Sequence, residues 1–556
     1  MEAVAAFEGS IHSGVIECSD CHAGHAVYDT SSPESAVARE NIAAVCARCH
    51  DDVTEEYVSS EHGKALASGF STAPACTDCH GEHDIVSITS GASPVSRQKE
   101  VRVCESCHLD SPDVLARMTH TSAFVSAYDQ SVHGRAAAAG NEQAAVCSDC
   151  HGAHQAMKAS AGGSKINKFE ISSTCGSCHD EIAAAFDEST HGEALAKGVA
   201  DSPTCTSCHS EHSIVEHTRA DSPVAAANVS EQVCSPCHNS YKLSTKYGFP
   251  SGRPDSFSDS YHGLATRFGS AETANCTSCH GIHDIWPSTD PRSRVHPANL
   301  TATCGDCHPG ANENFARGSV HVIRTPEGDR LLYWISTVYM VLIAVVIGGM
   351  GAHNVLDWGR KLRRRYEETT TPRQGEAAAV RLGEAAVPRK TGLYLRMTVN
   401  ERIQHGLLAG SFILLVLTGF MLKFPDAWWV EALRKLLGVT LFDLRGVLHR
   451  IAAVVMIGDS LYHLYYITAT ERGRGFVRDI MFRGSDFSDV WRMLRDNLGL
   501  SPDRPQFDRF SYMEKAEYWA LIWGTIIMTC TGIVLWFENV FMGNFSKLFV
   551  DVNEII

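Results

Sequence analysis

Twenty of the 21 cysteines in the 556-residue chain fall into ten C-x-x-C-H pentapeptides. They are Cys18/Cys21/His22, Cys46/Cys49/His50, Cys76/Cys79/His80, Cys104/Cys107/His108, Cys147/Cys150/His151, Cys175/Cys178/His179, Cys205/Cys208/His209, Cys234/Cys237/His238, Cys276/Cys279/His280 and Cys304/Cys307/His308. The chemistry this spacing suits is covalent haem attachment. Two thiols reach the two vinyl groups on one porphyrin edge, and the adjacent imidazole swings under the iron as proximal ligand. Zinc sites built on paired cysteines have no need for His always at the same next position. A disulfide framework has none either.

The first cysteines are separated by 28, 30, 28 and 43 residues, then 28, 30, 29 and 42, then 28. A four-haem unit of 129 residues is thus used twice and followed by half a unit. Two further histidine series keep this beat. His25, His83, His154, His212 and His283 each stand seven residues after the first Cys of an alternate motif. His62, His133, His191 and His262 each stand 14 residues before such a motif, in Ser-x-His-Gly, and His12 holds the equivalent place at the start. Ten additional imidazoles for ten irons predict bis-His coordination throughout. That arrangement leaves no open position and suits electron transfer. The order in which distal histidines serve the haems is not readable from spacing. A terminal reductase acting on a small oxyanion such as nitrite or tetrathionate is the alternative; it calls for an open or Lys-ligated iron, and no C-x-x-C-K occurs.

These residues must be positioned by very little protein. About 33 residues per haem are too few for a separate apolar core around each porphyrin, so the haems are expected to pack on one another. The predicted fold is mainly α with sparse secondary structure: short helices after the motifs, as in 180–186, joined by Gly-, Ser- and Pro-containing loops.

The second part of the chain differs. Residues 1–330 carry a net charge of −20, whereas 331–556 carry +4. The acidic part excludes nucleic acid as a partner. Residues 331–352 form an uncharged 22-residue stretch long enough to span a bilayer. Arg360, Lys361, Arg363, Arg364 and Arg365 follow it, and the positive-inside rule puts them in the cytoplasm and the haem domain outside. Three more apolar segments, at about 403–422, 446–468 and 517–537, give an out-in-out-in-out path. The segment 446–468 contains His449, Arg450, Asp459 and His463, which are expensive facing lipid. His449 and His463 lie about 21 Å apart along a helix on nearly one face, a spacing suited to two stacked b-type haems. His405 opens the segment 403–422.

Asn400-Glu401-Arg402-Ile403-Gln404-His405, Leu448-His449-Arg450 and Glu517-Tyr518-Trp519-Ala520 with Gly524 and Gly532 resemble the cytochrome b subunits of formate dehydrogenase and nickel hydrogenase. Joined to a multihaem c domain, they resemble CbcL-like inner-membrane cytochromes of metal-reducing bacteria. The resemblance implies menaquinol oxidation, two b haems, and electrons passed to periplasmic cytochromes and extracellular acceptors. It assigns His449 to the periplasmic-side b haem and His405 to the cytoplasmic-side one, with His463 competing for the latter. It also calls for a last helix with two more ligand histidines and, before Cys18, for a signal sequence; both ends are expected to be missing.

The expected organisation is a periplasmic decahaem domain (1–330), a membrane helix (331–352), a basic cytoplasmic linker (353–400) and a cytochrome b module (401–556) in a bacterial inner membrane. Quinol is expected near the cytoplasmic ends of the segments 403–422 and 446–468. There Asp459, His405 and His463 converge, with Glu401 and Arg402 as polar contacts. The expected partners are the membrane, menaquinol, periplasmic c-type cytochromes and, as an option, a second copy of the chain in a homo-oligomer.

Overall fold

The computed structural model describes residues 2–22, 28–118, 122–317, 320–370, 395–438, 440–501 and 505–555. His25 and residues 371–394 of the expected linker lie outside them. The described residues are helical or irregular, with no strand. They pack as two compact units, Met1–Pro254 with Ala274–Asn299, and Asp255–Thr273 with Leu300–Ile556. The segment bearing the tenth motif is therefore in the same unit as the long apolar helices.

Helices of the first unit are four to nine residues long. Most alternate motifs are themselves one helical turn, as in Cys76–His80 and Cys147–His151, which brings both cysteines and the histidine to one side of that turn. The Ser-x-His-Gly series has a structural origin. Ser60, Ser131 and Ser189 are N-caps whose hydroxyls accept from the backbone N–H of Gly63, Gly134 and Gly192. A Cβ on those glycines would lie 2.1–2.2 Å from the carbonyl oxygens of Tyr57, Tyr128 and Phe186. Glycine is thus needed for close approach to the preceding helix, and the cap fixes the imidazole between them. The residue before each histidine ties this turn to a distant one: Ile11 donates to Ile85, Glu61 to Ala156, Val132 to Ile214 and Thr190 to Ile285, at 2.8–2.9 Å. Each acceptor lies two residues after a histidine of the other series.

Large apolar clusters are missing from what is described of this unit. Its most buried side chains are mainly small, among them Ala38, Ala73, Ser60, Ser93 and Ser131. Both hydrophobic clusters belong to the second unit. One joins Phe268, Met421, Val430 and Leu441; the other joins Phe315, Val534, Met542 and Val550.

The second unit is organised by four long helices, α1 (Arg330–Thr370), α2 (Val399–Lys423), α3 (Thr440–Ala469) and α4 (Tyr512–Trp536). Thr398 and Ser511 cap α2 and α4 reciprocally with Glu401 and Glu514. Among the described residues three helices, α1, α2 and α4, are long and apolar enough to cross a membrane. Four spans were expected. α3 is 30 residues long but buries Arg445 and Asp459 among its core-facing positions, and this polar face sets it apart. It packs chiefly on α2.

Candidate functional site

Nine motif histidines face a second imidazole. His22 with His83, His80 with His154, His151 with His212 and His209 with His283 have ring centres 5.9–6.1 Å apart and planes within 23° of parallel. His50 with His12, His108 with His62, His179 with His133, His238 with His191 and His308 with His262 are 6.0–6.3 Å apart, with planes 42–69° from parallel. An iron held by two imidazole nitrogens at about 2 Å, each ring centre about 1 Å beyond its nitrogen, separates the centres by about 6 Å. The residues present therefore fit haem iron between each pair.

The geometry also sets a register. A histidine seven residues after a motif's first Cys faces not its own motif but the one two earlier. Spacing alone cannot show that one series is displaced by two motifs.

Burial holds His62, His133, His191 and His262 below the ordinary imidazole pKa, His191 at about 4. At neutral pH they are uncharged donors, as metal ligation requires. Motif edges also meet. The thiols of Cys46 and Cys76, Cys104 and Cys147, Cys175 and Cys205, and Cys234 and Cys276 lie within range to perturb one another. The second and third, fourth and fifth, sixth and seventh, and eighth and ninth motifs therefore abut in sequence order.

The two cysteines of a motif can have different settings. These thiol contacts are all made by first cysteines. Among the second cysteines, Cys49, Cys178, Cys237 and Cys307 are exposed, while Cys107 and Cys279 are half-buried. The reason is helical phase. Cys49, Cys178 and Cys307 donate their backbone N–H to the carbonyls of Cys46, Cys175 and Cys304 at 3.2 Å, and Cys107, Cys237 and Cys279 lie in the helices Glu100–His108, Ser235–His238 and Cys276–His280. A step of three residues turns the second thiol about 60° from the first and moves it nearly one turn along. Where Cys46, Cys175 and Cys234 meet a neighbouring motif, Cys49, Cys178 and Cys237 are left toward solvent.

The tenth motif is held by the membrane-type unit. His308 Nδ1 lies 2.8 Å from Asn539 Oδ1, Asn312 donates to the Gly543 carbonyl at 2.9 Å, and Phe315 enters the cluster with Val534 and Met542.

Within the long helices, His449 Nδ1 is 2.7 Å from Thr418 Oγ1 on α2. His463 has both nitrogens engaged, Nδ1 with Gln404 Oε1 at 2.8 Å and Nε2 with Tyr518 OH at 2.9 Å. Gln404 in turn donates to Asn400, and Asn400 to Tyr462. Beside this chain lies a cavity of about 530 Å³ lined by Val399, Asn400, Ile403, Gln404, Leu407, Gly458, Asp459 and Tyr462.

His405 is exposed, next to but off the face that carries Gln404, so His405 and His463 do not converge. Glu401 is engaged elsewhere: it accepts from Thr398 and Tyr466 and pairs with Arg472. That pairing holds the Arg472 guanidinium above its ordinary pKa. Arg402 is exposed. Only Asp459 of the expected quinol set faces the cavity. Asn400, Gln404, Thr418, Tyr462 and Tyr518 were missed. A signal existed: Asn400, Gln404, Ser411 and Thr418 recur at helical spacing in an otherwise apolar segment.

Residues 396–554 match the family model described as prokaryotic cytochrome b561, and residues 10–109 match cytochrome c3. The chain is 28% identical over 177 residues to multiheme cytochrome MtrA of Shewanella baltica, covering 30% of this chain and 43% of that protein. It is 23% identical over 142 residues to the cytochrome b556(fdo) subunit of formate dehydrogenase of Escherichia coli K12, covering 26% and 60%. The chain thus spans about half the length of the curated relatives it matches. No solved structure matches. The chain thus joins a region similar to multihaem cytochrome c3 to a region similar to cytochrome b561, whose helices include ones long and apolar enough to cross a membrane.

Proposed function

We propose that the protein oxidises menaquinol in a bacterial inner membrane and delivers the electrons, through b haems and ten c haems, to periplasmic and extracellular acceptors. The observation that carries this reading is the run of nine facing imidazole pairs together with a b-type module whose largely apolar cavity is edged by Asn400, Gln404 and Asp459. The haems supply one-electron redox chemistry, and the chain supplies ligands, spacing and a place for the substrate. The Cys and His residues of the ten motifs attach and ligate the c haems. His12, His62, His83, His133, His154, His191, His212, His262 and His283 serve as distal ligands. The arginine cluster after α1 supports a periplasmic c-haem region, and its acidic surface favours a cytochrome partner with a basic docking face.

Asp459 is placed to accept a proton from a quinol hydroxyl, with Asn400, Gln404 and Tyr462 lining the head-group side. Purified protein mixed anaerobically with a reduced menaquinone analogue should show c-haem absorbance changes. Haems reducible by dithionite but not by the quinol would sink the proposal. Asp459→Asn should slow quinol-driven reduction at least about tenfold while dithionite reduction is unchanged; equal rates would remove Asp459 from the site.

The two orientations of the imidazole pairs give a spectroscopic expectation. Nearly parallel ligand planes split the iron dπ orbitals, whereas steeply tilted planes leave them closer in energy and increase g anisotropy. The oxidised protein should therefore show two low-spin EPR populations, a rhombic one from the four parallel pairs and a high-g-maximum one from the tilted pairs. A single rhombic population would contradict the ligand assignment.

A further inference from the structure

Arg445 is the unmatched charge of the b-type module. It lies on the core-facing side of α3 at 8% exposure, one helical turn from His449. Among the described residues it makes no ion pair, and its Nε is buried without a hydrogen-bond partner. Around it are the Phe442 ring, 5.2 Å from the guanidinium carbon, with the Tyr261 hydroxyl and Arg450 in electrostatic range. None of these is a carboxylate. The ion pair nearest in sequence, Arg267 with Asp426, already satisfies itself. A buried guanidinium left this way is strongly disfavoured unless an anion completes it. The planar fork is suited to two carboxylate oxygens.

We propose that Arg445 is a cofactor-binding residue that holds a propionate carboxylate of the haem seated on His449. The assignment rests on the reading of His449 as a haem ligand. One turn of helix separates the two side chains along a common face, so a macrocycle ligated by one presents its acidic edge toward the other. The same end of the unit carries Tyr261, the residue before His262 of the tenth c-haem pair. Arg445 thereby anchors the acidic edge of the b haem, and its positive charge favours the reduced form of that haem.

The test uses the full-length holoprotein in detergent or nanodiscs. Arg445→Gln should lower the b-haem midpoint potential in a redox titration and shift the propionate bending band in the resonance Raman spectrum. Arg445→Lys should restore most of the potential, and the c-haem titration should be unaffected in both. Should Arg445→Gln fail to retain haem, restoration by Arg445→Lys supports the assignment. Exchange of the non-covalent haem for its dimethyl ester supplies the second arm. The ester removes the carboxylate charge that favours ferric iron and should raise the potential in the wild type, by an amount that differs in Arg445→Gln, because the two changes act on one interaction. Additive shifts, or an unchanged potential and Raman band in Arg445→Gln, would overturn the proposal. His449→Ala separates the two failures: if it retains all b haem, the ligand reading fails, and if it loses b haem while Arg445→Gln behaves as wild type, only the propionate assignment fails.

Discussion

Alanine in place of His83 is expected to turn one haem high-spin, and the haem affected is that of the first motif rather than the third, in which His83 stands. The His83 ring faces His22 at 6.0 Å with planes 8° from parallel, while His80 of its own motif faces His154. Removing one of two axial imidazoles opens a coordination position and raises the potential of that iron, since the ferric state loses the stronger share of imidazole donation. The EPR spectrum of oxidised His83→Ala should gain a stoichiometric high-spin signal and lose one rhombic low-spin component. With histidine-selective isotope labelling, the paramagnetically shifted signals of His22 should move and those of His80 should not. Movement at His80 with His22 unchanged would overturn the displaced register.

That register marks the boundary of what spacing can reveal. The ten attachment sites are legible because thioether chemistry fixes Cys, Cys and His within five residues. The Ser-x-His-Gly series is legible too, since the cap at Ser60 and the close approach at Gly63 are local. What joins His62 to His108, or His83 to His22, is the return of the chain on itself, held by bonds such as Glu61 N–H to the Ala156 carbonyl across 95 residues. No local pattern encodes such a return. The different settings of Cys46 and Cys49 have the same origin, because only the packed chain decides which thiol of a motif meets its neighbour. The sparse secondary structure has a related cause. With small Ala and Ser side chains filling most buried positions of the first unit, the apolar volume around the imidazole pairs is left to porphyrin.

In the membrane helices the failure is one of phase. His405 and Gln404 are about 100° apart on a helix, so only one can face α3. Gln404 shares its face with Asn400, Ser411 and Thr418, whereas the titratable neighbour draws attention first. Asp459 and His463 likewise share a side of α3, yet the groups holding the imidazole are Gln404 and Tyr518. Amides and phenols that position an imidazole are invisible to a search for ionisable residues.

His449→Ala is expected to abolish the b-type absorbance of one haem, leave the covalent c haems intact and cut quinol-driven c-haem reduction by at least about a hundredfold. Hydrogen-bond bookkeeping distinguishes this residue from His463. The Thr418 hydroxyl gives its single proton to the Leu414 carbonyl at 2.7 Å, so toward His449 it acts as acceptor. His449 Nδ1 therefore carries the proton, and Nε2 keeps its lone pair for iron. Gln404 spends its amide N–H on Asn400 and accepts from His463 Nδ1. That leaves His463 Nε2 as the acceptor of the Tyr518 hydroxyl, its lone pair already occupied. His463→Ala should accordingly retain b-haem absorbance and lose quinol affinity at the adjacent cavity. Thr418→Val, which deprives His449 Nδ1–H of its acceptor, should keep the haem but weaken its retention about 10- to 100-fold. Pyridine haemochrome analysis separates b from c haem and reads all three variants. Full b-haem content in His449→Ala would return the residue to helix packing, and loss of b haem in His463→Ala would show that Tyr518 yields its place to iron.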